Sequence, residues 1–261
     1  MDHLDEYAHT HCFYRCFFKR LFFGRKRPFP TPMRLNKLDS NFLRYLVDSQ
    51  VPPGERLPTL NQIGQELGVS VGKLREQLEI ARSLGLVSVR PRVGIVREPF
   101  DFSQAVLAGV LFGLGTGEAT FEQFSNLRQA IEIDFWETAV HHLTPDDKQK
   151  LQLLVQKAWA KLKGNPIHVP NEEHRELHLT IFCRLNNPFV KGMLAAYWDA
   201  YEASELTRFS PYSYWLEVWD YHQKIVEAIV ANEYQTGLAL LSAHFDLLPT
   251  HPEPTIGNNH R

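Results

Sequence analysis

Residues 57–96 read LPTLNQIGQELGVSVGKLREQLEIARSLGLVSVRPRVGIV, and their punctuation marks two helices followed by a hairpin. Thr59 stands at the N-cap of a helix over 60–67, and Gln62, three residues on, completes a capping box. Gly68 supplies the left-handed residue that ends such a helix. Ser70 caps the next helix, which is predicted to run to about Leu84 and to close at Gly85. Two short β-branched runs, 86–89 and 93–96, flank Arg90-Pro91-Arg92 and predict two strands joined by a tight turn. Upstream, Phe42, Leu43, Leu46 and Val47 fall at helical spacing within 41–50, and Val51-Pro52-Pro53-Gly54 stops that helix. The order is helix, helix, three-residue turn, helix, β-ribbon, which is a winged helix-turn-helix spanning residues 33–98.

This small fold presents its last helix to the major groove of duplex DNA, where residues near the helix N-terminus reach base edges. Lys73 and Arg75 occupy the first turn and a half of that helix, and Leu74, Leu78 and Ile80 are expected to face the small core. Ser70 and the free amides beside it suit a phosphate, and Thr59 at the start of the preceding helix is a further DNA-binding candidate. Arg56 is a second phosphate clamp, and Arg90 and Arg92, with Gly94 in the ribbon, form a wing tip that reaches an adjacent minor groove. The alternative use of such a domain is protein contact alone.

Beyond Pro99 the strand signals vanish. Segments 121–142, 145–163, 171–185, 188–205, 214–231 and 234–248 each carry a helical period, and Thr144-Pro145, Gly164-Asn165-Pro166, Asn187-Pro188 and Ser210-Pro211 break the chain between them. Residues 99–250 therefore read as an all-helical antiparallel bundle, and the fold class is mainly α. Residues 1–32 are rich in His, Phe and Arg without a sustained period, and they read as a disordered arm or a mis-assigned start ahead of Met33. Residues 251–261 read as a disordered tail.

Charge follows the same division. Residues 33–98 carry ten Lys/Arg against seven acids, and residues 99–261 carry twelve against twenty. A basic front suits phosphate and an acidic back suits another partner. No apolar run reaches the 18–20 residues of a membrane span, and residues 12–23 lack the h-region and cleavage site of a signal peptide. Three cysteines, Cys12, Cys16 and Cys183, do not make a disulfide scaffold and suit a reducing cytoplasm, near the nucleoid for a DNA-binding chain.

Histidine is abundant, with twelve in 261 residues. His174 and His178 lie four apart on one predicted helix, a chelating spacing, and His222 and His244 sit at inward positions of two later helices. Spacing leaves two outcomes open: the four converge on a metal in the bundle, or they are surface or hydrogen-bonded core residues. The aromatic residues Tyr197, Trp198, Tyr201, Tyr212, Tyr214, Trp215 and Trp219 suit a core, a dimer seam or the wall of a pocket.

Two resemblances are carried by these residues. Pro53-Gly54-Glu55-Arg56-Leu57-Pro58-Thr59, Leu67-Gly68-Val69-Ser70, Leu74-Arg75-Glu76-Gln77-Leu78, Gly85-Leu86-Val87 and Gly94 resemble, in order and spacing, the DNA-binding signature of the GntR family. Val71, Leu60-Asn61 and the single wing glycine depart from its commonest form, which implies a different operator sequence. Residues 124–245 resemble the FCD effector domain of the FadR-type subfamily, through Leu127–Glu132, Glu173–Phe182, His222–Ile229 and Ala239–His244.

The second resemblance implies a divalent transition metal, zinc or nickel, held by His174, His178, His222 and His244, with histidine at 174 where the family has aspartate. It also implies a small organic acid as effector, paired with Arg128. For Arg128 a helix-surface ion pair with Glu132 is the alternative, and Arg184 is a second candidate. The family further implies a homodimer on an inverted repeat, acting as a ligand-responsive repressor and not as an enzyme. Two other readings stay open: a helical domain that only dimerises, and a metal-dependent hydrolase.

Overall fold

The computed structural model describes residues 37–205 and 210–247. The arm at 1–32 and the tail at 251–261 lie outside the described residues. The fold described below begins at Ser40, where the contact-defined unit that holds all the described helices and strands starts.

Helices α1 (Asn41–Asp48), α2 (Leu60–Leu67) and α3 (Val71–Ser83) precede strands β1 (Val87–Arg90) and β2 (Gly94–Arg97). Each helix starts where its cap dictates. Ser40 accepts from the Leu43 amide, Thr59 and Gln62 close a reciprocal capping box, and Ser70 accepts from the Lys73 amide. Gly68 takes the left-handed conformation, φ +64°, and turns the chain from α2 into α3. The strands pair antiparallel with Arg90 opposite Gly94, and Arg56 adds an isolated bridge to Val96.

The core of this part joins Phe42, Leu46, Leu57, Ile63, Leu74, Leu78, Ala81 and Val87, all buried. Gln77 is also buried, and its side-chain oxygen accepts the Phe42 amide at 3.0 Å, tying α1 to α3. One expectation fails here. Ile80 is half exposed, because Leu74, Gln77, Leu78 and Ala81 already fill the inward face and Ile80 lies outside it.

The chain continues into α4 (Ser103–Thr116), α5 (Phe121–His141), α6 (Pro145–Leu162), α7 (Asn171–Ile181), α8 (Pro188–Ala203), α9 (Tyr212–Ala231) and α10 (Tyr234–Phe245). Six of these start within two residues of the sequence expectation. Helix α4 has no counterpart there. It is uncharged and apolar on every side and contains Gly109, Gly113 and Gly115, so it shows neither a polar face nor strong propensity.

Thr120 with Gln123 and Thr144 with Asp147 form two more capping boxes, and Asn232 in the left-handed conformation reverses the chain between α9 and α10. Helix α9 packs on α6 and α10, α7 on α6 and α8, and α5 on α8 and α10. The main core gathers Trp136, Leu151, Leu177, Leu194, Trp219, Ile225 and Leu241. A second cluster of Phe124, Tyr197, Trp198 and Tyr201 lies along α5 and α8, with Val106, Leu107 and Val110 of α4 against it. Among the described residues, no helix is long and apolar enough to cross a membrane.

Candidate metal centre and nucleic-acid interface

Helix α7 brings His174 and His178 to one face, α9 contributes His222 and α10 contributes His244. Each of the four offers a ring nitrogen within 4.8 Å of the others, and all four side chains are buried. The Nε2 atoms of His178 and His222 are 3.0 Å apart. Four nitrogens bound at about 2.0–2.1 Å around one tetrahedral ion stand roughly 3.4 Å from each other, so modest ring rotations close this set onto an ion.

The remaining nitrogens argue the same way. Both ring nitrogens of His174, and Nδ1 of His222 and of His244, are buried without a hydrogen-bond partner among the described residues. Leaving buried polar atoms unsatisfied costs about 1–3 kcal/mol each, and a metal ligated by those lone pairs removes part of that cost. Burial, reinforced by the neighbouring cations and rings, pushes His174, His222 and His244 well below the usual histidine range. Neutral imidazole is the form that ligates. The residues therefore fit a borderline transition metal such as zinc or nickel.

Aromatic rings enclose the cluster. The His174 ring lies 4.6 Å from Trp198 and 5.9 Å from Tyr201, edge-on to both, and 6.2 and 6.3 Å from Trp215 and Trp219. Of the uses open to the aromatic residues, Trp198, Trp215 and Trp219 serve as core, and they also form this wall. A cleft of about 820 Å³, lined by Glu172, Arg175, Trp198, Tyr201 and Glu202, shares two of those rings.

Arg128 and Glu132 of α5 complete the surroundings. Arg128 donates through Nε to Glu132 Oε1 at 2.7 Å, and the pair is buried, not on the helix surface as the sequence alternative had it. The guanidinium is stacked among Tyr197, Trp198 and Phe245, with centroid distances of 4.6, 4.7 and 5.2 Å. Burial works to raise the Glu132 carboxyl, but Arg128 and His178 outweigh it and bring the group down to about 2. Glu132 is thus an anion that accepts from His178 Nδ1 at 3.1 Å.

Sequence reasoning placed Glu132 one turn from Arg128, yet nothing local reveals its contact with His178, 46 residues away. Arg184 does not join the site. It chelates Asp147 at the start of α6 with bonds of 2.8 and 2.9 Å, where the carboxylate also closes the Thr144 cap.

In the winged helix, Lys73 and Arg75 stand exposed on the first turns of α3, beside the Ser70 cap. Thr59 spends its hydroxyl on the capping box with Gln62, which fixes the start of α2. Arg92 holds the wing tip at φ +62°. Arg90 is turned back along the ribbon onto Glu98 at 2.7 Å, with Ser88 bonded to the same carboxylate, so reaching a groove requires exchanging that partner. A Cβ at Gly94 would lie 3.3 Å from Arg56 Nε, so the absence of a side chain there lets the Arg56 guanidinium rest on the wing.

A winged helix-turn-helix with a cationic reading helix, joined to a helical bundle with a buried ligand-type cluster, defines a DNA-binding regulator with a sensing domain. Comparison with known proteins gives the family. Residues 43–96 match the bacterial regulatory proteins of the gntR family, and residues 123–247 match the FCD domain. The chain is a transcriptional regulator of the GntR family with an FCD effector domain, and not an enzyme.

It is 25% identical over 229 residues to the L-lactate dehydrogenase operon regulatory protein of Escherichia coli K12, covering 84% of this chain and 86% of that one. It is 27% identical over 163 residues to the HTH-type transcriptional regulator McbR of the same organism, covering 62% and 66%. Among solved structures, Streptococcus agalactiae GntR shares the fold with a TM-score of 0.55 at 17% identity, over 79% of this chain and 94% of that one.

Proposed function

We propose that this regulator binds an inverted-repeat operator as a homodimer and that its helical domain holds a divalent transition metal, zinc or nickel, together with a small organic acid. The observation that carries the reading is the convergence of His174, His178, His222 and His244 beside a buried arginine. The four imidazoles hold the ion, Glu132 holds the orientation of His178, and Arg128 offers positive charge to a carboxylate. When bound, the ion supplies Lewis acidity toward an anionic oxygen and cross-links α7, α9 and α10.

Arg56, Ser70, Lys73, Arg75, Arg90 and Arg92 form the DNA contact, with Lys73 and Arg75 reading bases and the others holding phosphate or the minor groove. The effector favours one arrangement of the two winged helices, so its binding shifts the population able to fit both half-sites. The sign is repression relieved by ligand. The relative named for an L-lactate dehydrogenase operon makes L-lactate the first acid to try.

The test combines elemental analysis of the purified protein with DNA-binding assays on an operator selected from random duplexes. One zinc or nickel per subunit and an acid-dependent release from DNA support the reading. DNA binding with no bound metal and no response to any small acid leaves a helical domain that only dimerises.

A further inference from the structure

Two residues past its Ser70 cap, α3 carries Gly72, where the fold itself gives no reason for a glycine. The other glycines of the winged helix each have one. Gly54, Gly68, Gly85 and Gly94 take positive φ, and a Cβ at Gly64 would stand 2.8 Å from the Val69 carbonyl oxygen. Gly72 lies in helical backbone that any residue adopts, and a Cβ there would meet nothing within 4 Å. Glycine at such a position weakens a helix, because it gives up more chain entropy on folding than alanine does. Nothing within the described winged helix offsets that cost.

The place of Gly72 on the helix points outward, to a partner. At about 3.6 residues per turn, it lies opposite the buried row of Leu74, Gln77, Leu78 and Ala81, at the middle of the exposed face. Lys73 and Arg75, both exposed, stand on either side of it. Farther along the same face are Glu76 and Glu79, and Glu79 is paired with Arg82. The glycine end of the face is therefore the end that suits an anionic duplex.

We propose that Gly72 is a specificity-determining residue for operator binding: its bare backbone lets base edges close on α3, so that Lys73 and Arg75 reach their acceptors from both sides. The inference rests on α3 being the reading helix. A helix with its side chains is roughly 10–12 Å across and the major groove is about 12 Å wide, so the residue at the middle of the outward face limits how deep the helix sits. One Cβ there would hold the helix off by on the order of 1.5 Å, the length of a C–C bond. Hydrogen bonds to base edges do not survive such a shift, since they form between about 2.7 and 3.2 Å. Contacts to phosphate lie at the rim of the groove and are made by long, flexible cations, which follow the displacement.

The experiment compares the full-length parent with Gly72→Ala on an operator selected by the parent from random duplexes and on an unrelated duplex, by fluorescence anisotropy, and follows thermal unfolding of both proteins. The inference expects Gly72→Ala to bind the operator about tenfold or more weakly. It expects binding to the unrelated duplex, which rests on phosphate contacts, to stay within about twofold. It expects the melting temperature to hold or to rise by a few degrees, because alanine is the better helix former and meets no neighbour. Stability and operator affinity then move in opposite directions, which a merely structural glycine does not produce.

Operator binding equal to the parent overturns the inference and leaves α3 as the reading helix. An equal loss on both duplexes, a lowered melting temperature or a variant that fails to fold also overturns it, since each assigns the glycine to something other than the fit to base edges. If the parent selects no duplex at all, the reading helix and the inference fall together. Gly72→Leu, with a longer side chain in the same open space, is expected to lose more operator affinity than Gly72→Ala, and a smaller loss counts against the steric account.

Discussion

The Nε2 atoms of His178 and His222 lie 3.0 Å apart although the residues are 44 positions apart in sequence. Helices α7 and α9 carry these rings into a core lined by Trp198, Trp215 and Trp219, where Nδ1 of His222 is buried with no hydrogen-bond partner among the described residues. That pairing makes the histidine cluster the feature of the helical domain with the clearest chemical purpose.

Replacing His178 and His222 together by alanine is expected to abolish metal binding. The parent should carry one zinc or nickel per subunit and gain thermal stability when metal is added, since a ligand bound only by the native state stabilises it by mass action. Elemental analysis and a thermal-shift titration measure both. Stoichiometric metal in the double variant would place the site elsewhere.

The metal-free protein should be acid-labile. His174, His222 and His244 are pushed well below 6.5 by burial, so the unfolded chain takes up protons that the native chain refuses. Stability then rises with pH and is lost as pH falls through 6.5, the value these histidines regain on unfolding. The loss is therefore expected between pH 7.5 and pH 5.5. Urea unfolding at the two pH values tests it, and a flat profile contradicts the neutral, buried state of the cluster.

Arg75→Ala should weaken binding to a selected operator by about 1–3 kcal/mol and relax its sequence preference at one position. Lys73→Ala, if Lys73 meets phosphate instead of a base, should weaken all duplexes alike and lower the salt slope by about one. Fluorescence anisotropy across a salt series separates the two. Unchanged affinity on losing Arg75 would remove α3 from the interface.

Gly192→Ala should destabilise the helical domain by about 1–3 kcal/mol. A Cβ there would lie 2.6 Å from Phe102 Cβ and 2.9 Å from the Ser103 amide, at the start of α4. Part of what it meets is backbone, which cannot swing aside as a side-chain tip would. Thermal unfolding of the variant measures the cost, and DNA affinity serves as the control for an intact winged helix.

The sequence alone determined the local architecture. Thr59 and Ser70 cap helices through bonds to residues three positions away and were legible as caps without any tertiary information; Ser40, Thr120 and Thr144, which the sequence reading did not name as caps, act through bonds of the same span. The same holds for Gly68, whose left-handed turn is a property of one residue. Helix α4 escaped because three glycines and an unbroken apolar surface conceal a helical period, and packing against α8 replaces the missing propensity.

Four candidate ligands could be picked out by spacing, but only the tertiary structure decided that three separate helices bring them within 4.8 Å. It also decided the partners of the arginines. Arg184 went to Asp147, and Arg128 went inward to Glu132 and His178. The physical reason is range: caps and turns are fixed by bonds within a few residues, whereas a buried cluster is fixed by how whole helices pack.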